Sequence, residues 1–339
     1  MRRVRLPLLL LLVACCGFVQ TNATSRQATI EPAAYVPLVV APPIIPTPTP
    51  PPAATWLDYL NAIRELGGLS RVSENTTWSN GAVQHAIYMV KTDTIGHSED
   101  SSNPYYTLEG HLAAQNSNVM VSGSINTSDN DAIDLWILGP FHGVGVIDPF
   151  LRQVGFGSYR EEDGGWEMGA ALDVLRGRVF SSGISYPIRW PDDGQTSWYS
   201  SYGGGEYPDP IAGCAGYSTP TGAPIYLLLG NGSVTPDVTA SSLSRDASSL
   251  EHCVYTETTY TDPSDASATS LGRQVLGARD AIVIMPRQPL SNGTYSVSIT
   301  ANGNTYSWSF SVDTSAAPTT AAIEQVPQMP QMVGAPIAP

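Results

Sequence analysis

An α+β fold followed by an all-β one is what this chain of 339 residues predicts, and three observations predict it. Four apolar stripes at helical spacing lie between Trp56 and Ile137. Two short runs rich in aromatic and β-branched residues follow, Gln153 to Arg160 and Trp166 to Val174, around an acidic turn. From Phe180 onward no helical stripe is visible and the clearest signal is alternation with period two. The length exceeds that of an ordinary single domain, so two domains plus tails are expected.

The chain opens with Arg2, Arg3 and Arg5, an apolar run from Leu6 to Val13 too short to span a bilayer, and Ala14-Cys15, which together read as an export signal over residues 1–15. Leu12-Val13-Ala14-Cys15 resembles the bacterial lipobox, in which cleavage before Cys15 leaves that cysteine to carry lipid; ordinary cleavage near Ala23 is the alternative. Residues 16–54 read as a linker, because Pro46-Thr47-Pro48-Thr49-Pro50-Pro51-Pro52 cannot donate the hydrogen bonds of a helix or sheet and prefers extended polyproline II. At ~3.1 Å per residue its proline-rich part would hold a domain up to ~70 Å from an anchored Cys15.

The first domain, 55–178, opens on a helix with Thr55 three residues before Asp58, a capping-box spacing, and the stripe Trp56, Leu60, Ile63, Leu66; Gly67-Gly68 ends it. A second helix is expected near Ser79 (Val83, Ala86, Ile87, Val90), a third near Thr107 (Leu112, Ala113, Val119) and a fourth near Asp129 (Ile133, Trp136, Ile137). In the second domain, 179–313, Tyr295, Val297, Ile299 and Tyr306, Trp308, Phe310, Val312 keep period two on either side of an Asn302-Gly303 turn, a strong hairpin signal. With Tyr226 to Leu229 and Ala281 to Met285 this gives a small β-sandwich. The segment from Pro289 to Tyr295 resembles the entry to the last strands of bacterial immunoglobulin-like domains. Residues 314–339 alternate Ala, Pro, Gln and Met without period and read as a disordered tail.

Removal of the signal leaves 13 basic against 30 acidic residues, so the exported chain repels phosphate backbones and anionic headgroups. Nucleic acid is excluded as a partner on that ground, and a membrane is expected only through a lipid anchor. Beyond the signal only Cys214 and Cys253 remain, and in an exported chain they are expected to pair.

Three of the five histidines sit in short motifs: Gly96-His97-Ser98-Glu99, Glu109-Gly110-His111-Leu112-Ala113-Ala114 and Pro140-Phe141-His142-Gly143. Preceded by Trp56 to Leu69 and followed by Val154-Gly155-Phe156-Gly157-Ser158-Tyr159 and Ala170 to Val174, that succession resembles the CAP superfamily, the cysteine-rich secretory, antigen 5 and pathogenesis-related proteins, in its bacterial, cysteine-free form. The resemblance implies an α-β-α sandwich and a cleft lined by two His and two Glu, the histidines close enough to share a divalent ion. His97 matches the first family histidine and His142 the second. The first family Glu follows a glycine, and here Gly110 is followed by His111; the second follows the tryptophan of the fourth helix, where Trp136-Ile137-Leu138-Gly139 offers no acid.

Both carboxylates are thus missing from their places, which removes the general base that hydrolysis at a metal-bound water would use. His97, His111 and His142, with Glu99 or Glu109 in reach, still suit Zn²⁺, and His97 with His142 is the expected ligand pair. The structural alternative has each ring satisfying loop carbonyls. Neither a nucleophile elbow nor a phosphate loop nor a dinucleotide fingerprint occurs. Two functions remain. One is an extracellular, surface-tethered binding module for a small amphipathic ligand, a peptide, a cell-wall component or a divalent metal. The other is a metal-dependent hydrolase, a peptidase or cell-wall enzyme.

Overall fold

The computed structural model describes residues 55–180, 183–318 and 331–332. The expected export signal with Cys15, and the linker to residue 54, lie outside them. The first half runs α1 (Trp56–Glu65), β1 (Ser73–Glu74), α2 (Thr76–Thr92), α3 (Leu108–Asn116), β2 (Ser117–Ser122), α4 (Asp129–Leu138), α5 (Pro140–Val146), β3 (Gln153–Arg160) and β4 (Met168–Asp173). The helix starts follow local chemistry. Thr55 and Asp58 close a capping box on α1 and Ser128 and Asp131 close one on α4, while Asn75 and Thr107 cap α2 and α3.

One sheet, ordered β1-β3-β4-β2, lies between two helical layers. Side-chain alternation assigns the faces. Val119, Val121 and Ala171 pack on Ala82 and Met89 of α2, whereas Met120, Ala170 and Leu172 join the cluster of α1 and α4. The α2 layer sits close because the strands offer it glycine. A Cβ on Gly157 would lie 2.3 Å from the Val83 nitrogen, and one on Gly155 would lie 2.5 Å from Trp78. This is the α-β-α sandwich the sequence implied.

The second half comprises β5 (Ile188–Trp190), β6 (Thr196–Ser197), β7 (Ser201–Tyr202), β8 (Thr221–Gly222), β9 (Ile225–Leu228), β10 (Val238–Arg245), β11 (Ser248–Ser249), β12 (His252–Tyr255), α6 (Ala266–Gly277), β13 (Ala281–Pro286), β14 (Gly293–Ala301) and β15 (Asn304–Val312). Two sheets, β11-β10-β14-β15-β6 and β12-β13-β9-β5, feed one core, an arrangement that fits an immunoglobulin-like sandwich. The β14-β15 hairpin pairs Val297 with Trp308 and Ala301 with Asn304 across Asn302-Gly303, as the alternation predicts. Every residue of β9 and of β13 is buried, so both faces of that sheet are covered. A single apolar cluster spans both expected domains, from Leu60 and Trp136 to Tyr226, Ile284 and Phe310.

Three local expectations are corrected. Val119 is not on the third helix, which ends at Asn116 where the Asn116 side chain bonds the Leu112 carbonyl; the β-branched run after it pairs with β4 instead. The region after Phe180 does contain a helix, α6. Its stripe Ala268, Leu271, Val275, Leu276 is diluted by Ser, Thr and Gly, but Asp265 caps its first turn, and bare Gly272 lets Tyr260 and Phe141 approach. Finally, within the tail expected to be without structure, Gln331–Met332 form β16, antiparallel to Val121 and Met120 on the edge that β2 otherwise leaves open.

Cys214 and Cys253 are bonded, with Cα atoms 5.8 Å apart across a 39-residue separation. On the chain-entropy argument, replacing both by Ser should lower the free energy of unfolding by roughly 2–4 kcal/mol, read from urea denaturation of the double variant. A midpoint equal to that of the wild type would show that loop closure adds nothing here.

Candidate functional site

The histidine motifs meet around the α3 segment. After α2 the chain turns back as the loop 93–107, and its Glu99 is buried against the first turn of α3. The Glu99 carboxylate contacts His85 Nδ1 at 2.9 Å and accepts the Thr107 N–H at 3.1 Å, while His85 Nε2 donates to the Gly96 carbonyl at 2.9 Å. Gly110 is bare because this carboxylate lies on it: a Cβ there would be 2.5 Å from Glu99 Oε1. His111 accepts the Glu99 N–H on Nδ1 at 3.2 Å, and its Nε2 lies 3.1 Å from the Gln115 amide. At the place of the family's first Glu, His111 therefore pins the loop with both ring nitrogens engaged. Glu109, on the outer side of α3, is exposed.

His97 and His142 hang on the next few residues of the same segment. His97 Nδ1 lies 2.9 Å from the Ala114 carbonyl, an acceptor only, so that nitrogen carries the proton. His142, on the first turn of α5 and fully buried, has its own carbonyl bonded by Asn118 Nδ2 at 3.2 Å. Its Nδ1 lies 2.7 Å from Glu206 Oε1, and the same oxygen accepts the His142 backbone N–H at 3.0 Å. Ala114 and Asn118 thus anchor the two family histidines four residues apart at the junction of α3 and β2.

Glu206 escaped the sequence reading, since nothing local in Gly204-Gly205-Glu206 announces a partner 64 residues earlier. Burial raises its pKa well above the usual carboxylate range, against the lowering effect of the His142 and Phe141 backbone donors.

A neutral imidazole with a proton on Nδ1 keeps its basic lone pair on Nε2, the form that coordinates metals, and ligating histidines usually donate their other N–H to a carbonyl or carboxylate. His97 has that bonding to a carbonyl, and His142 Nδ1 faces a carboxyl oxygen of Glu206. The described residues nevertheless contain no group of three or more His, Cys, Asp and Glu side chains arranged to hold a metal. The nitrogens of His111 serve the Glu99 loop and Gln115. Two imidazoles fit an ion whose remaining ligands come from water or from what it binds.

Residues 57–168 match the sequence model of CAP, the Cysteine-rich secretory protein family. This segment is a CAP domain. No curated protein matches the chain. Among solved structures, partial likenesses are found to the methionine-rich copper resistance protein PcoC of Escherichia coli (15% identity, 38% of this chain and 100% of that one, TM-score 0.21). A second is to an extracellular protein of Bacillus anthracis containing an SCP domain (13% identity, 35% of this chain and 38% of that one, TM-score 0.27). A third is to an outer surface protein of Borrelia burgdorferi (19% identity, 34% and 85%, TM-score 0.26).

A cleft of about 680 Å³ is lined by Trp56, Tyr59, Asp129, Asp134 and Arg160 among others, and by none of the three motif histidines. Asp134 accepts the Tyr59 hydroxyl at 2.7 Å and that of Tyr199, and burial pushes its pKa up to about 7 while the two phenols oppose the rise. The folded state therefore prefers the protonated acid. Its cost to stability is absent below about pH 4, grows as the unfolded chain ionises first, and is complete above about pH 7. Asp134→Asn, which keeps an acceptor for both phenols, should be more stable than the wild type at pH 8 by about 2 kcal/mol and lose that advantage near pH 4. Urea midpoints at the two pH values check this, and an equal loss of stability at both would contradict it.

Proposed function

We propose that this chain is an exported binding module whose CAP domain holds a divalent cation, with Zn²⁺ the best chemical fit, between His97 and His142, and uses the ion's open positions to take an extracellular ligand. The observation that carries the reading is the fixing of both rings at Nδ1: that of His97 donates to the Ala114 carbonyl, and that of His142 lies 2.7 Å from Glu206 Oε1. The His97 ring and the His142 backbone carbonyl are both bonded by the short segment Ala114 to Asn118, which supports placing the two residues near one another. A small amphipathic molecule, a peptide or a cell-wall component are the ligand classes that suit an acidic, exported surface.

The hydrolase alternative needs a carboxylate able to take a proton from a metal-bound water. Glu99, the buried acid of the histidine loop, is committed to His85 and the Thr107 N–H, and Glu109 is turned to solvent. The binding reading needs no such base. Tethering through Cys15 belongs to the same proposal. No helix among the described residues is long and apolar enough to cross a membrane, and a lipidated Cys15 with a proline-rich spacer would hold the domain off the surface.

Calorimetry of the metal-free protein with ZnCl₂ at pH 7.5 should show one site, weakened at least about tenfold by His97→Ala, with affinity falling as imidazole protonates below about pH 6.5. Absence of binding, or binding indifferent to His97, would remove the metal. For the anchor, Cys15→Ser should move the protein from the membrane fraction to the medium; a wild-type protein already soluble outside the cell and beginning near Thr24 would overturn that part.

A further inference from the structure

The cleft of about 680 Å³ between the starts of α1 and α4 holds more acid than its own structure uses. Four charged side chains line it: Asp129, Asp131 and Asp134 from α4, and Arg160 from the end of β3. Arg160 is spent within the wall. Its nitrogens donate to the Thr127 carbonyl at 3.0 and 2.7 Å, to Ser158 Oγ at 3.0 Å and to Asp129 Oδ1 at 2.7 Å. That pair offsets one negative charge. Among the described residues no second cation lines the cleft to offset Asp131 and Asp134.

Each of the three acids is bonded through one oxygen. Asp134 takes the hydroxyls of Tyr59 and Tyr199 on Oδ1, and Asp129 takes Ser158 and Arg160 on Oδ1. Asp131 takes the Ser128 N–H and hydroxyl on Oδ2, closing the capping box of α4. Capping and packing account for these oxygens. The second oxygen of each acid receives no donor among the described residues, and none of the three is sealed in the interior. A metal ion would need such oxygens to converge, and these acids do not form a group arranged to hold one. A row of separated acceptors beside a half-buried indole suits a ligand whose donors are equally spread. Trp56 supplies that indole, stacked on Phe156 with ring centres 5.1 Å apart and lining the cleft with the rest of its surface. A guanidinium meets both conditions, since its five N–H donors fan out in one plane that stacks on aromatic rings.

We propose that this cleft binds a guanidinium group, as carried by an arginine side chain, stacked on Trp56 and donating to Asp134 Oδ2 and to the acids of the first turn of α4. The site is separate from the histidines and does not depend on a metal. Asp134 faces Tyr59 from α1, Tyr199 from the segment between β6 and β7 and Asp131 on its own helix, with Asp129 and Arg160 in the same cleft, and burial holds its pKa at about 7. A cation at Oδ2 favours the ionised acid. Affinity therefore rises as pH passes upward through about 7 and Asp134 gives up its proton.

The test is an NMR titration of the metal-free full chain with Nα-acetyl-arginine amide, followed through the Trp56 indole N–H. The citrulline analogue, which keeps the shape but replaces the guanidinium by a neutral urea, should bind at least about tenfold more weakly at pH 8. Binding of the arginine probe should weaken about tenfold from pH 8 to pH 6, as Asp134 protonates. Asp134→Asn keeps the oxygen that both phenols bond and places an amide N–H at the open position, where it opposes a donor. It should weaken the arginine probe at least about tenfold at pH 8 and remove the pH dependence. Equal affinity for arginine and citrulline probes would overturn the proposal on the wild-type protein alone, whatever the variant does. Equal affinity for the lysine analogue would overturn the guanidinium in favour of any cation, and binding of chitotriose without binding of arginine would overturn it in favour of a saccharide. A folded Asp134→Asn protein that binds the arginine probe as the wild type does would overturn the role of Asp134 and with it the site.

Discussion

A single buried carboxylate, Asp148, holds the two halves of the molecule in register. It lies at the end of α5 with almost no exposure, and it pairs with Arg178, at 2.8 Å, from just beyond β4, and with Arg279, at 3.1 Å, from just beyond α6. Beside it the Arg64 guanidinium, also fully buried, donates to the carbonyls of Ser70, Val146, Asp148 and Leu151, so the C-terminal end of α5 meets positive charge where its dipole favours it. Burial lowers the Arg64 pKa to about 10, which leaves it charged at neutral pH. Charges this deep are tolerated only while every partner is present, so α1, α5, the end of β4 and the end of α6 must assemble together.

That constraint positions the site. α5 is fixed at its far end by Arg64 and Asp148 and at its near end by Glu206, and His142 is carried on the turn between them. His97 is held by a loop whose anchor is a second buried carboxylate, Glu99, bonded to His85 and Thr107. A buried acid thus stands near each of the two histidines, Glu206 in contact with the His142 ring and Glu99 two residues from His97 in the same loop.

What was legible in the sequence was whatever short-range chemistry decides. The capping boxes at Thr55 and Ser128 and the Asn302-Gly303 hairpin are written within a few residues, and the structure repeats them. The succession of histidine motifs was enough to place the CAP domain, now matched over residues 57–168. α6 was hidden because its apolar stripe is only four residues among Ser, Thr and Gly, and its helical state depends on Gly272 fitting against Phe141 and Tyr260. Glu206 was hidden for a stronger reason. Its role is created by a contact 64 residues long in sequence, and no local pattern encodes that.

The disulfide has a topological consequence. The exposed stretch from Asn231 to Thr235, between β9 and β10, lies inside the loop closed by Cys214 and Cys253. Export, as proposed, would expose the chain to proteases, and such surface turns are where they cut. A single cleavage there would leave both fragments covalently joined, with Glu206 on one and the β14-β15 hairpin on the other, so a nicked molecule keeps its parts tethered instead of shedding its C-terminal sheet.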